Sequence, residues 1–320
     1  MTPFLETLRK PAAAFLFPVE SDSWTFILRF GLGAQVILYT LSLRADWNEL
    51  FARTGWGLVN RELTEAVLDV QSRFAPRLGW VVLIGDHLGL DESTTLWTVW
   101  GCLLGAGCFL LIGFFCRASA VTAWSLHLCA VNSEELLSYG MDNFTTIGLF
   151  YLMLSPLPDR LSLDWQLRKQ SLRHHEFLGF FRRILQFHLC AVYFFSGATK
   201  AVAAEWWNGT SVWRALVSPP FDRLPPELLV HWKFLLPLLG ISVFFLEISY
   251  PIFIWPKRTR GIWLSCVIGM HLALMFTMGL FLFSLIMITL NIAAFGPELW
   301  TLSTSQRDRS TIQILPGKAS

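Results

Sequence analysis

Charged residues are scarce in this sequence. Asp, Glu, Lys and Arg together make up 15% of the 320 residues, whereas hydrophobic residues make up 54%. A soluble fold of this size has too little interior to bury so much apolar surface. The composition therefore excludes an ordinary soluble domain and predicts a chain that resides in a lipid bilayer.

Motifs of several common protein classes are also absent. The sequence has no P-loop, G-x-G-x-x-G, G-x-S-x-G or H-E-x-x-H motif, so nucleotide-driven transport and the common hydrolase chemistries lack sequence support. Its six cysteines include no C-x-x-C pair and are expected to pack as small apolar side chains, without a disulfide framework or metal site. The net charge of +2 does not predict a nucleic-acid partner.

Long apolar runs are present instead. A bilayer core about 30 Å thick is crossed by roughly 20 apolar residues in a helix, and the strict alternation typical of barrel strands does not occur in these runs. We therefore predict an all-α, polytopic transmembrane bundle of about eight crossings, with the last run divided at Gly279. The predicted spans are Trp24–Leu43, Thr94–Phe115, Ala118–Leu137, Tyr139–Leu157, Phe180–Ala198, Val230–Ile254 and Gly261–Phe295.

The basic residues predict the orientation of the bundle. Lys and Arg near crossings tend to stay in the cytoplasm, and most of them lie in alternate connecting segments. We therefore expect both termini to be cytoplasmic in a multi-pass integral membrane protein, placed in the cytoplasmic membrane if the source is bacterial. Residues 1–23, which show no signal peptide, and 301–320 are the expected cytoplasmic segments around a membrane domain over 24–300.

A lysine stands at the end of the fifth apolar run, on the side predicted to be external. One interpretation is that Lys200 snorkels to the lipid headgroups while Trp206 and Trp207 form an interfacial aromatic belt. The other is that Lys200 belongs to a pocket. A buried catalytic lysine and an exposed anchor would differ in burial and ionisation.

The stretch YFFSGATKAVAAEWWNG, from Tyr193 to Gly209, resembles the signature of the HTTM family. This is the membrane domain related to vitamin K-dependent gamma-carboxylase. Three further segments resemble that family in the same order: ILRFGLG (Ile27–Gly33), GFFCRASAV (Gly113–Val121) and the closing pair of crossings, Ile268–Trp300.

The resemblance implies a site and a chemistry. Lys200 corresponds to the base that deprotonates a hydroquinone, and we expect Asp142, Asn143 and His271 to be its catalytic partners. Glu205 is expected at the same pocket. Tyr193, Gly197 and Trp206 are expected to contact a quinone, a hydroquinone or another membrane-soluble small molecule. Glutamate carboxylation itself is not expected, because Phe144 stands where the family has a histidine and only 20 residues follow Trp300.

Other polar residues within the apolar spans suggest structural contacts. Counting about 1.5 Å per residue, Arg29 and Glu247 lie at similar depths from the predicted inner ends, which predicts a structural ion pair between them. His127, His188 and His271 also lie at similar depths. They are interpreted as interhelical hydrogen-bond donors, with haem ligation by two of them as the alternative.

The connection from Arg44 to Ser93 is the longest segment between predicted spans. Within Arg61–Gly85, apolar residues near helical spacing predict an amphipathic helix on the outer face, able to cover a pocket near Lys200 or only the helix ends. Two other functions stay open beside the enzymatic one. They are a non-catalytic accessory role in maturation of, or immunity to, a secreted peptide, and transport.

Overall fold

The computed structural model describes residues 13–54, 60–134, 138–168 and 176–297. The structure is 79% helical, and the described ranges contain no β-strand. The predicted all-α class is therefore confirmed. Of the two predicted cytoplasmic segments, residues 1–12 of 1–23 and all of 301–320 lie outside the described residues.

Fifteen helices with defined bounds lie within these described ranges. They are α1 Ser23–Ser42, α2 Trp47–Phe51, α3 Arg61–Gln71, α4 Leu78–His87, α5 Glu92–Ile112, α6 Cys116–Ser133, α7 Gly140–Leu154, α8 Leu163–Arg168, α9 Glu176–Val202, α10 Ala204–Trp207, α11 Thr210–Val217, α12 Pro226–His231, α13 Leu235–Phe253, α14 Lys257–Met278 and α15 Phe281–Phe295. Four of them, α1, α5, α13 and α14, are long and apolar enough to cross a membrane.

Local sequence explains where several helices begin and end. The Asp91 side chain accepts a hydrogen bond from the Thr94 amide and caps the start of α5. Gly113, with φ of 76°, and Gly279, with φ of 72°, adopt the left-handed conformation at the ends of α5 and α14. The predicted break of the last apolar run at Gly279 is thus confirmed, and two helices replace the single run.

The chain forms two compact units. The unit that we call the N-terminal unit comprises Phe17–Phe181 and Leu282–Thr289. The C-terminal unit comprises Arg182–Phe281 and, among the other described residues, 13–16 and 290–297. Helices α9 and α15 contribute residues to both units.

Helix α1 provides much of the core of the N-terminal unit. Trp24, Leu28, Leu32 and Val36 recur at a four-residue spacing and are fully buried. A Cβ atom added at Gly33 would lie 2.7 Å from the Leu111 amide nitrogen. The absence of a side chain at this position lets α1 and α5 approach closely, as small residues do in membrane helix pairs.

Arg29 forms a buried ion pair with Asp159. Its Nε donates to Asp159 Oδ2 at 2.6 Å and its Nη2 donates to Asp159 Oδ1 at 3.1 Å. A further nitrogen, Nη1, donates to the Leu110 carbonyl at the end of α5. The predicted Arg29–Glu247 pair is therefore wrong. Depth counting does not identify neighbouring helices, and the carboxylate that Arg29 binds follows α7.

The long connection after α1 contains a helix, as predicted, and the contacts of this helix show which of its faces packs on the unit. Helix α3 buries Arg61, Thr64 and Leu68, and the Arg61 guanidinium contacts Glu92. Leu63 and Val67, which belong to the predicted apolar face, are exposed. The face of α3 that carries Arg61 is therefore the face that packs on the unit.

In the C-terminal unit, the segment between α9 and α13 is also structured. Short helices α10, α11 and α12 follow one another there. Leu216, Leu229 and Leu236 form a small apolar core in this region. This core holds the residues that follow Lys200 against the start of α13.

Candidate functional site around Lys200 and Glu247

Helix α9 carries polar side chains at helical spacing along one side. Gln186, Tyr193, Ser196 and Lys200 follow one another at intervals of seven, three and four residues, which places them on one face. Their span is about 20 Å at 1.5 Å per residue. The hydrogen bonds described below connect this face to α13, α14 and α15 within the C-terminal unit.

Lys200 is bound to a carboxylate. Its Nζ donates to Glu247 Oε2 at 2.6 Å and to Ser196 Oγ at 2.7 Å. The two charged side chains are only 13% and 8% exposed. This burial does not fit a lysine that snorkels freely to water, and Lys200 and Glu247 together form the centre of the candidate site.

The electrostatics of the site follow from the pairing. An isolated ammonium in an apolar environment has a large desolvation cost, and a carboxylate in direct contact offsets much of that cost. The Lys200 Nζ also lies 4.9 Å from the centroid of the Trp206 ring, within the range of a cation–π interaction. The ammonium is thus held between a carboxylate, a hydroxyl and an aromatic ring.

Gly197 allows the two helices that carry the pair to approach each other. A Cβ atom at this position would lie 2.7 Å from the amide nitrogen of Ile248, the residue after Glu247. On α13, Gly240 lies against the carbonyl group of Trp206. The predicted site residues Gly197 and Trp206 therefore border the pair, Gly197 by making room for it and Trp206 by contacting it.

A second polar cluster lies on the same face of α9. The Tyr193 hydroxyl is 2.9 Å from His271 Nε2, and Asn291 Nδ2 donates to the same hydroxyl at 2.8 Å. The Tyr250 hydroxyl donates to Asn291 Oδ1 at 2.8 Å. All four side chains are buried. The structure therefore brings together two predicted site residues, Tyr193 and His271, as parts of a network that joins four helices.

Sequence analysis does not single out Ser196, Tyr250 or Asn291. It identifies Glu247 but pairs it with Arg29 in place of Lys200. The available signal was their polarity within long apolar helices, where polar groups are costly and need partners. That signal identifies the residues but not the partners.

Asp142 and Asn143 belong to the N-terminal unit. Asp142 Oδ2 accepts a hydrogen bond from the Tyr139 amide at 3.0 Å and takes part in the capping box of α7. Asn143 is exposed. The structure thus gives Asp142 a capping role, and the expectation that these two residues act with Lys200 stays a prediction. Glu205 is also exposed, and the carboxylate bound by Lys200 is Glu247.

The three histidines of the predicted spans differ in environment. His127 Nδ1 lies 3.0 Å from Thr146 Oγ1 in the N-terminal unit, an interhelical hydrogen bond of the expected kind. His188 and His271 belong to the C-terminal unit. The Nε2 atom of His271 is hydrogen-bonded to the Tyr193 hydroxyl. Haem ligation by this nitrogen would require the hydrogen bond to break. Within the described ranges, no group of three or more His, Cys, Asp or Glu side chains is placed to bind a metal.

Comparison with known proteins gives no relative for this chain: no protein-family model, curated protein or solved structure matches it. The resemblance to the HTTM family therefore rests on the sequence segments alone. Any functional assignment has to be argued from the site itself.

Proposed function

We propose that this chain is a multi-pass membrane protein of the HTTM type that binds a membrane-soluble quinol at the Lys200–Glu247 pair and accepts its proton. The observation that carries the proposal is the 2.6 Å contact between Lys200 Nζ and Glu247 Oε2 in an almost fully buried environment. Buried ionisable residues in membrane helices are functional candidates, because their desolvation cost needs a compensating role.

The arrangement suggests roles for both charged groups. In the ion pair, the group that can accept a proton is the Glu247 carboxylate. We propose that a quinol hydroxyl transfers its proton to Glu247, giving a neutral carboxylic acid and a quinolate anion. The Lys200 ammonium would stabilise that anion, as a preorganised charge does at sites where negative charge develops. The resemblance to the HTTM family implies that Lys200 is the base. The ion pair with Glu247 favours the Glu247 carboxylate as the base, because the Lys200 ammonium already carries its proton.

The neighbouring residues suit an aromatic ligand. Trp206 offers a ring surface beside the ammonium, and ring systems pack well against such surfaces. The predicted location on the outer side of the membrane would let a quinol with an isoprenoid tail approach through the lipid. Four helices long enough to cross a membrane support the bilayer location. The finer topology of eight crossings with both termini cytoplasmic belongs to this proposal.

Native extraction followed by mass spectrometry of co-purifying lipids tests the proposal. We expect the wild type to retain an isoprenoid quinone and Lys200→Gln to lose it. Lys233→Gln is the matched control, because Lys233 is an exposed lysine of the same unit, located between α12 and α13. If the wild type and both variants carry only bulk phospholipid, the quinol proposal is wrong.

Proton transfer is tested separately, by absorbance of an added short-chain naphthohydroquinone. The wild type should shift the spectrum towards the quinolate, and Glu247→Gln should bind the probe without this shift. A shift that persists in Glu247→Gln would leave Lys200 as the base, as the resemblance implies.

A non-catalytic accessory role is the second candidate. The Lys200–Glu247 ion pair favours this role, because the two opposite charges neutralise each other and need no ligand to do so. Under this interpretation the polar face of α9 serves only to align helices. Loss of the pair would then reduce folding without affecting any bound small molecule.

A further inference from the structure

The N-terminal unit contains a pocket of about 360 Å³ at the junction of four helices. Its lining comes from the starts of α6 and α9, the end of α7 and the middle of α8, together with Asp22, which directly precedes α1. Most of its wall is apolar and includes Leu154, Trp165, Phe177 and Phe181. The charged side chains in the wall are Asp22 and Arg117. The pocket shares no residue with the Lys200–Glu247 pair.

The charge of this pocket is positive once the contacts of Asp22 are considered. Asp22 Oδ1 accepts from Arg160 Nε at 2.7 Å, and Oδ2 accepts from the Arg160 amide at 2.7 Å. Its carboxylate is therefore balanced by a neighbouring arginine. Arg117 is exposed, and one of its nitrogens donates to the Met153 carbonyl. Because a guanidinium carries five N–H groups, Arg117 retains donors for a ligand.

The N-terminus of α6, which is close to Arg117, does not offer a second group for binding an anion. Asp164 accepts hydrogen bonds from the amides of Phe115 and Cys116 at 3.1 Å and 2.8 Å. These amides at the start of α6 are therefore already satisfied by a carboxylate. An anion in the pocket would bind the side chain of Arg117, surrounded by apolar groups.

We propose that this pocket binds the headgroup of one anionic phospholipid. Arginine binds phosphate through parallel N–H contacts, and the apolar wall suits the glycerol and the first carbons of the acyl chains. The volume lies at the lower end of ligand sites, which fits a headgroup and not a whole lipid. Basic pockets between helices on the cytoplasmic side are suited to such headgroups.

A phospholipid explains the pocket better than free phosphate. Inorganic phosphate would use only the guanidinium and would leave the apolar wall without a contact. Proline residues at 156 and 158 stiffen that wall, because proline fixes the backbone angle φ. A stiff apolar wall beside a single cation matches an amphiphile with one negative charge.

Native mass spectrometry of the delipidated full chain in detergent tests this inference. Phosphatidylglycerol and phosphatidylcholine with identical acyl chains are added in parallel. We expect the wild type to retain phosphatidylglycerol in preference, and Arg117→Gln to bind it about tenfold or more weakly, the effect of losing a charge-assisted hydrogen bond. Arg168→Gln removes an exposed arginine that does not line the pocket and should bind like the wild type.

A second variant keeps the inference testable if Arg117→Gln does not fold. Leu154→Trp changes a partly exposed side chain and fills the pocket without altering its charge, so it should weaken retention of phosphatidylglycerol. Equal retention by the wild type and the folded variants would overturn the proposal. Equal binding of the two lipids by the wild type, or complete displacement of phosphatidylglycerol by millimolar inorganic phosphate, would also overturn it.

Discussion

At the scale of single residues, Lys200 and Glu247 depend on each other. Each is largely buried, and each is the charge that balances the other. Removing one partner leaves an uncompensated charge in an apolar environment, which typically costs about 3–5 kcal/mol. Replacing both by apolar residues of similar size removes the desolvation cost together with the attraction.

This dependence predicts a specific pattern of stabilities. We expect Lys200→Met and Glu247→Leu to lower the free energy of unfolding by about 3–5 kcal/mol each, whereas the double variant recovers most of the loss. Unfolding of the purified variants in mixed detergent measures these differences.

The double variant also separates function from folding. If the pair binds a quinol, the stable double variant should retain none. A double variant that is no more stable than the single variants would contradict this prediction, because it would show that the intact pair stabilises the fold by more than its own desolvation cost.

The pH dependence of a helix cap also belongs to the residue scale. Hydrogen bonds from the Thr94 hydroxyl and amide lower the pKa of Asp91 below its ordinary value. A lowered pKa means that the stabilisation by the ionised cap is fully present above the ordinary value of about 4 and is lost as the pH falls through the folded-state pKa.

We therefore expect Asp91→Asn to unfold at a lower temperature than the wild type at pH 7, with a difference that shrinks below about pH 4. Thermal unfolding across this pH range measures the difference. Asp86→Asn, which changes an exposed aspartate in the preceding helix, is the control and should show no such trend. A constant difference at all pH values would contradict the assigned cap.

At the scale of helices, Gly197 determines how closely α9 and α13 pack. Any side chain at this position meets the backbone of α13, and backbone gives way less easily than a flexible side chain. Overpacking of this kind typically costs about 1–3 kcal/mol. The same displacement would lengthen the contact between Lys200 and Glu247.

We expect Gly197→Ala to be destabilised and to lose quinone retention. Gly269→Ala is the matched control, because Gly269 lies in α14 with no atom within 4 Å of an added Cβ. There the substitution should be neutral or stabilising by up to about 1 kcal/mol, since alanine is the better helix former. Unfolding and lipid retention of both variants measure the effect. Equal behaviour of the two variants would show that the close approach at Gly197 is unimportant.

At the scale of the whole molecule, the connecting segments determine the orientation in the membrane. Basic residues favour the cytoplasmic side, and this preference predicts that α3 lies outside the cell membrane while the segment before α14 lies inside. Ser72, which directly follows α3, and Arg258, the second residue of α14, are exposed positions at these two places. They provide a direct test of the predicted topology.

The test uses a background in which the six cysteines, all free thiols, are replaced. We expect Ser72→Cys to react with a membrane-impermeant maleimide in intact cells, and Arg258→Cys to react only after permeabilisation. The opposite pattern would reverse the predicted orientation. Such a reversal would also move the pocket at Arg117 away from the cytoplasmic leaflet.

The sequence by itself determined the class of the molecule and the positions of its long helices. Apolar runs of about 20 residues have few alternatives to the helix in lipid, and Gly279 interrupts the last run because glycine readily adopts positive φ. The polar residues of the candidate site were visible for the same reason. A lysine, a glutamate or a histidine within an apolar helix is costly, so its presence is informative.

Only the tertiary structure decided which polar groups meet. Depth along a helix is encoded locally, but the neighbour of each helix depends on packing over the whole chain. Arg29 therefore pairs with Asp159 after α7, and Glu247 pairs with Lys200. The same reason explains why α3 buries the face that carries Arg61. A buried charge is stabilised only by the partner that the fold brings within contact distance, and helical spacing does not specify that partner.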